Sequence, residues 1–207
     1  MKKLLELLNN NQLDELRVEL TKRLLKQEHK SPKLLQAIKN YFKKAPDGRP
    51  VLQTVQHDTH GTQFICDGFS LYYFTQHIDE LDALPQSTQD TGSINPASIV
   101  STIHPQETPD DSLLAQIKNI KTYVEYAKSQ PEYNKKEMLT ITLNGIPYQT
   151  YIIEQLNAII PVDTITHLSV TKNGMYVLSD TTKALILPVR TTPQDFTNKF
   201  NNEVQPL

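Results

Sequence analysis

The chain has 207 residues, 38% of them hydrophobic and 21% charged, so it is long enough to bury a substantial core in one or two domains. Its formal net charge of −2 excludes a histone-like polycation but is compatible with a local basic surface. A single cysteine, Cys66, excludes an internal disulfide framework and a cysteine-rich zinc site. Short apolar runs and an N-terminus without secretory features predict a reduced, soluble, cytoplasmic protein with no membrane-spanning segment.

The N-terminal quarter predicts two helices. Residues 1–30 carry leucines at three- and four-residue spacing, which is typical of a helix. Ser31 and Pro32 are a good N-cap and a good first-turn residue for a second helix over residues 32–44. The apolar face of this second helix consists of Leu34, Leu35, Ile38 and Phe42.

Three strands are predicted to follow, over residues 51–57, 62–66 and 69–74. Polar tetrads and glycines separate them, with turns at Asp58-Thr59-His60-Gly61 and at Asp67-Gly68. Alternation along the third strand places Tyr73 on one face and Tyr72 with Phe74 on the other.

The middle of the chain is polar. Residues 86–112 predict an exposed connection with one short strand over residues 97–103. Residues 109–112 then begin a helix over residues 113–128, with acidic side chains in the first turn where the helix dipole favours them.

The last third repeats the order of the first. A strand over residues 138–143 precedes a helix over residues 151–160, and three strands follow over residues 165–171, 175–179 and 184–190. The sequence therefore predicts an α+β fold of two helix-plus-three-strand units that pack side by side, with additional N-terminal and central helices.

Four segments are similar, in the same order along the chain, to motifs of one known family. Arg49-Pro50-Val51-Leu52 is similar to R-P-x-L, and Ile65-Cys66-Asp67-Gly68-Phe69-Ser70-Leu71 is similar to A-T-D-G-x-R-L with Ser70 in place of arginine. Residues 148–156 are similar to the strand-to-helix pattern Y-L-x-x-x-L, and residues 184–190 to L-x-M-P-M-R. Through these motifs the chain resembles the bacterial DNA sliding clamp, the β subunit of DNA polymerase III.

The resemblance implies a clamp domain, in which the helices line the hole of a ring and the sheets lie outside. It divides the chain into an N-terminal helical extension (1–30), a clamp-like domain (31–190) with an inserted linker and helix at about 86–130, and a polar, frayed tail (191–207). The family's chain has three such domains and its ring has six. This chain has room for one domain, so a ring of the same size would need about six copies. The function implied is a non-catalytic, DNA-associated accessory protein of replication or repair. The alternative is a clamp-fold protein-interaction module that does not encircle DNA.

Charge is segregated along the sequence. The segment from Lys22 to Arg49 contains nine lysines and arginines and only two acidic residues, Glu28 and Asp47. A clustered positive surface suits non-specific binding of the DNA backbone, whereas an ordinary solvated helix face is the alternative. The helix over 151–160 has one charged residue, Glu154, and no basic residue. Since both helices of a clamp unit usually present basic residues to the hole, this argues against a tightly closed ring. The predicted nucleic-acid-binding residues are Lys22, Lys26, Lys30, Lys33, Lys39, Lys43, Lys44 and Arg49.

The resemblance also implies a cleft for a polymerase-type peptide. In the family the two segments that build this cleft belong to neighbouring domains, so here they are expected to meet only across a subunit interface of a homo-oligomer. The alternative is that the leucines and valine of residues 185–189 are alternate core residues of a sheet. The positions implied are Gly68, Leu71, Leu185, Leu187, Pro188 and Val189.

The sequence offers little evidence of catalysis. It contains no nucleophile elbow, phosphate-binding loop, dinucleotide fingerprint or zinc-protease motif. His57, Asp58 and His60 allow a metal-dependent hydrolase as a third, weaker hypothesis, but a polar hairpin turn is the favoured interpretation. Cys66 is expected to be a small buried residue. No catalytic residue, metal or cofactor is predicted.

Overall fold

The computed structural model describes residues 32–46, 49–87, 110–192 and 194–204. The predicted helix over residues 1–30 and the predicted strand over residues 97–103 lie outside these ranges. The described residues form five α-helices, three short 3-10 helices and nine strands, which confirms the α+β class. The α-helices are α1 (Pro32–Lys44), α2 (Asp111–Lys118), α3 (Ile120–Ser129), α4 (Thr150–Ile159) and α5 (Thr197–Glu203).

The strands belong to two sheets. Six strands form an antiparallel sheet in the order β1-β2-β3-β8-β7-β6, and three form a small sheet in the order β5-β4-β9. The strands are β1 (Gln56–His57), β2 (Gln63–Cys66), β3 (Ser70–Phe74), β4 (Leu139–Leu143), β5 (Ile146–Gln149), β6 (Ile165–Thr171), β7 (Gly174–Ser179), β8 (Thr182–Ile186) and β9 (Gln194–Asp195).

The order of the six-stranded sheet is symmetric about its centre. The three strands after α1 occupy one half, and the three strands after α4 occupy the other half in reverse order. The third strand of each set lies at the centre, where β3 and β8 pair with Tyr72 opposite Ala184. From the central β3–β8 pair outwards, each half of the sheet therefore contains its own three strands in reverse chain order.

The main core lies between this sheet and the helices. On β3 the side chains of Tyr72 and Phe74 are buried while Tyr73 is partly exposed, as the predicted alternation requires. The ring of Tyr41 on α1 packs edge-on against the ring of Tyr72, with centroids 5.5 Å apart. The buried residues of α1 and α4 in the same core are Ala37, Ile38, Tyr41, Phe42, Ile152, Ile153, Leu156 and Ile159.

The small sheet anchors the end of the chain. Asn144 and Gly145 both have positive φ, which gives the tight turn that joins β4 to β5. β9 pairs in parallel with β4, and α5 follows it. Phe200 of α5 is buried against the ring of Tyr123, so the prediction of a frayed tail is wrong for residues 194–204. The prediction followed the mostly polar composition of this segment, whereas one buried aromatic residue, Phe200, is enough to attach it to the core.

Three other predicted elements differ from the structure. Residues 50–53 form a 3-10 helix rather than the start of a strand, because Pro50 favours a turn there. The predicted helix over 113–128 is broken at Asn119 into α2 and α3. The last strand of the large sheet is Thr182–Ile186, earlier than predicted. None of the helices within the described ranges has the length and apolar character needed to span a membrane.

Candidate nucleic-acid interface

The lysines of α1 lie on the side of the helix that faces away from the sheet. Burial of Ala37, Ile38, Tyr41 and Phe42 fixes the orientation of the helix, since these residues form one stripe at helical spacing. Four predicted phosphate contacts are therefore exposed, and Arg49 is exposed after the helix. The exposed lysines are Lys33, Lys39, Lys43 and Lys44, whereas Lys22, Lys26 and Lys30 lie outside the described residues.

Helix α4 lies beside α1 and runs in the opposite direction. The two helices pack directly against each other. Leu34 near the start of α1 and Ile159 at the end of α4 line the same cavity of about 410 Å³, which places opposite ends of the two helices together. The C-terminal lysines of α1 therefore lie near the first turns of α4.

Helix α3 flanks α4 and adds two lysines that the sequence interpretation missed. Tyr123, Val124 and Ala127 are buried, and Lys121 and Lys128, seven residues apart, share the exposed side of the helix. This spacing is visible in the sequence, but the packing of α3 beside α4 is a tertiary contact between residues that no local pattern connects. The layer α1–α4–α3, which we call the helical face, thus carries lysines on both outer helices.

Glu154 lies on the middle helix of the helical face. Half-burial raises the pKa of its carboxyl group by disfavouring the charged form, and the positive charges of Lys128, Lys121 and Lys44 oppose that rise. These three lysines come from the two outer helices. Positive charge from both outer helices therefore acts on the carboxyl group of Glu154.

The predicted peptide-binding segments meet within one chain. Leu71 on β3 is directly opposite Leu185 on β8, and the backbone N–H of Leu187 donates a 2.8 Å hydrogen bond to the carbonyl oxygen of Phe69. The expectation that they could meet only across a subunit interface is wrong, because the central antiparallel pair of the symmetric sheet joins them directly.

The leucines and valine of residues 185–189 are not alternate core residues of the sheet, as the alternative interpretation expected. The buried alternate residues of β8 are Thr182, Ala184 and Ile186, whereas Leu185 is partly exposed and Leu187 is 38% exposed. Phe69, which the resemblance did not single out, is 43% exposed beside Leu187. Leu71 is buried, Gly68 is exposed, and Pro188 and Val189 are partly exposed. Phe69 and Leu187 form an exposed apolar pair at this end of the sheet.

A buried polar cluster holds the turn that presents Phe69. The carboxylate of Asp67 accepts hydrogen bonds from the backbone N–H groups of Phe69 at 2.8 Å and Ser70 at 2.7 Å. The hydroxyl of Tyr41 donates to the carbonyl oxygen of Ser70 at 2.9 Å. Burial, together with the charge of Asp67, raises the pKa of Tyr41 well above its usual value, so this phenol stays a hydrogen-bond donor. Ser70, at the position where the family has arginine, is therefore an internal residue here.

The turn on which the metal hypothesis rests is a closed hairpin. Asp58 Oδ1 accepts from the backbone N–H groups of His60 and Thr62, and Oδ2 accepts from the hydroxyl of Tyr73. These bonds occupy the carboxylate in closing the hairpin, as the favoured interpretation predicts. Among the described residues no group of three or more potential metal ligands is present. Burial raises the pKa of the Cys66 thiol, which disfavours a reactive thiolate.

Comparisons with protein-family models, with curated proteins and with solved structures find no match for this chain.

Proposed function

We propose that the protein is a non-catalytic, clamp-like accessory protein that contacts the DNA backbone through its helical face. The observation that carries this proposal is the lysine-bearing layer of α1, α4 and α3, backed by a six-stranded sheet of symmetric strand order. Backbone binding needs clustered positive charge on a rigid surface and no base-reading side chains.

The charge of the helical face supports this proposal. Within α1, α4 and α3 the lysines are Lys33, Lys39, Lys43, Lys44, Lys121 and Lys128, and the acidic residues are Glu125 and Glu154. The whole chain is nevertheless slightly acidic, with a net charge of −2. A basic face on an acidic molecule orients a polyanion towards that face and away from the rest of the surface.

A matched pair of triple variants tests the proposal. Replacing Lys39, Lys43 and Lys44 with glutamine removes three exposed charges from α1. The control removes the same charge outside the three helices of the helical face, at Lys135, Lys136 and Lys172, which are also exposed. Anisotropy of a labelled DNA duplex, measured over a range of salt concentrations, gives affinity and its salt dependence.

We expect the α1 variant to bind all duplex sequences more weakly and to flatten the salt dependence by about one unit for each phosphate that it no longer binds. The control should bind like the wild type. Absence of salt-dependent binding by the wild type would overturn the proposal. Equal losses in both variants would show that net charge, rather than the helical face, governs binding.

The exposed pair Phe69 and Leu187 favours a second candidate function, a protein-interaction module. An apolar surface beside a strand end suits a short extended peptide with leucine or aromatic anchors. Light scattering separates the two architectures: an assembly of about six copies supports a ring built from single domains, and a monomer supports the interaction module.

A further inference from the structure

A carboxylate interrupts the positive charge of the helical face. Helix α1 contains no acidic residue, and α4 contains one, Glu154. Because α4 packs against both α1 and α3, this partly exposed carboxylate lies on the middle helix of the layer.

We propose that Glu154 restrains phosphate binding by the helical face, because its carboxylate places a negative charge on the middle helix, between the lysines of α1 and those of α3. This inference rests on the proposed function. In this role Glu154 touches neither lysine nor phosphate and acts through its charge: it repels a phosphate that approaches the middle helix. The consequence is weak, readily exchanged contact with DNA instead of a tight complex.

The surroundings of Glu154 explain why this carboxylate affects several lysines at once. Its half-buried position reduces solvent screening, so its interactions reach the neighbouring helices more strongly than those of a fully exposed carboxylate. Strands β4 and β5, which also pack against α4, contain no charged residue. The charged residues on the helices around α4 are Lys33, Lys39, Lys43 and Lys44 from α1, Lys121, Glu125 and Lys128 from α3, and Asp111 and Lys118 from α2. Lys118 pairs with Asp163.

Glu154→Gln is the direct test, since glutamine keeps the shape and removes the charge. Glu80→Gln is the matched control, because it makes the same chemical change at a partly exposed residue of the 3-10 helix Asp79–Ala83. Both variants and the wild type are titrated with the labelled DNA duplex over a range of salt concentrations at pH 7.

We expect Glu154→Gln to bind duplex DNA about two- to fivefold more tightly than the wild type, as the removal of one partly screened charge interaction implies. Its salt dependence should be steeper by up to about one unit, because loss of the repelling charge allows one more phosphate to approach the lysines. Glu80→Gln should change affinity by less than Glu154→Gln and leave the salt dependence unchanged.

A pH series provides a readout that a merely structural role would not change. The wild type should bind more tightly as the pH is lowered, since burial raises the pKa of Glu154 and protonation removes its negative charge from the helical face. The corresponding increase should be smaller in Glu154→Gln, while Glu80→Gln follows the wild type.

Each result decides between the inference and the proposed function. If the wild type binds DNA and Glu154→Gln binds no more tightly, the inference is overturned and the proposed function stands. If the wild type does not bind but Glu154→Gln does, the inference is supported and the proposed function fails. If neither binds, the helical face does not take phosphate and both are overturned.

Discussion

The hydroxyl of Tyr41 donates a 2.9 Å hydrogen bond to the backbone carbonyl oxygen of Ser70, and both residues are buried. This bond joins the lysine-bearing helix α1 to the turn that presents Phe69. The candidate surface for DNA and the candidate surface for a peptide are therefore both attached to the buried cluster of Tyr41, Asp67 and Ser70.

Tyr41→Phe should lower the free energy of unfolding by about 0.5–1.5 kcal/mol, because the Ser70 carbonyl and hydroxyl lose this buried partner but keep their hydrogen bonds to Asp67. Tyr73→Phe is the control: Tyr73 donates to Asp58 at a partly exposed site, where water can replace the lost bond. Urea denaturation of both variants measures the difference. Equal losses would mean that the buried bond contributes no more than the exposed one.

The local elements that the sequence predicted well have strong local causes. Helix α1 follows from an apolar stripe with a proline at its start. The hairpin after β1 follows from two residues: the side chain of Asp58 accepts hydrogen bonds across the turn, and Gly61 has the positive φ that the turn needs. The helix α4 and the strands on either side of Asn173-Gly174 likewise follow from periodicity and turn residues. In these segments propensity, pattern and turn chemistry agree.

The candidate surfaces depended on tertiary contacts that local patterns do not contain. The pairing of β3 with β8 joins residues more than a hundred positions apart, and it brings Phe69 and Leu187 together at one end of the sheet. The position of α3 beside α4 decides that Lys121 and Lys128 belong to the helical face. Neither relationship has a short-range signal, so the sequence predicted the lysines of α1 but not their neighbours.

Asp58 should give the stability of the protein an acidic pH dependence. Partial burial alone would raise the pKa of its carboxyl group, but hydrogen bonds from the Thr62 N–H, the Tyr73 hydroxyl and the His60 N–H outweigh burial and lower it. A carboxyl group with a lowered pKa stabilises the fold above its unfolded pKa of about 4, and this contribution is lost as the pH falls through the folded value.

The stability difference between the wild type and Asp58→Asn should therefore be largest near pH 7 and shrink below about pH 4. Thermal unfolding at a series of pH values measures it. Asp79→Asn, at a side chain that is 83% exposed, serves as the control and should show little difference at any pH. A constant difference for Asp58→Asn across the series would contradict an ionic origin.

Leu187→Lys and Leu71→Lys should separate an exposed from a buried position on the same face of the sheet. Leu187 is 38% exposed, so its substitution should change the free energy of unfolding by no more than about 0.5 kcal/mol. Leu71 is 4% exposed, and burying an unpaired lysine there should cost several kcal/mol or abolish folding. Urea denaturation of both variants measures the two effects, and similar losses at the two positions would contradict the difference in burial.

The same Leu187→Lys variant tests the interaction module. A set of short peptides with leucine or aromatic anchors is titrated into the wild type, and NMR shifts report whether residues beside Phe69 and Leu187 respond. Any such response should be lost in Leu187→Lys, whose fold is intact. Peptide binding that persists unchanged in the variant would exclude this apolar pair as the docking surface.

Phe200→Ala should destabilise the protein by about 3–5 kcal/mol, although it lies in the last tenth of the chain. Its ring is 3% exposed and packs edge-on against Tyr123 and Tyr126, with centroids 5.4 and 5.3 Å away. Val204→Ala is the control in the same C-terminal segment, because Val204 is 44% exposed and should cost little. Urea denaturation of both variants is the measurement. A loss at Phe200 no larger than at Val204 would show that α5 adds nothing to the core, whereas the expected loss establishes the C-terminal segment as part of the folded domain.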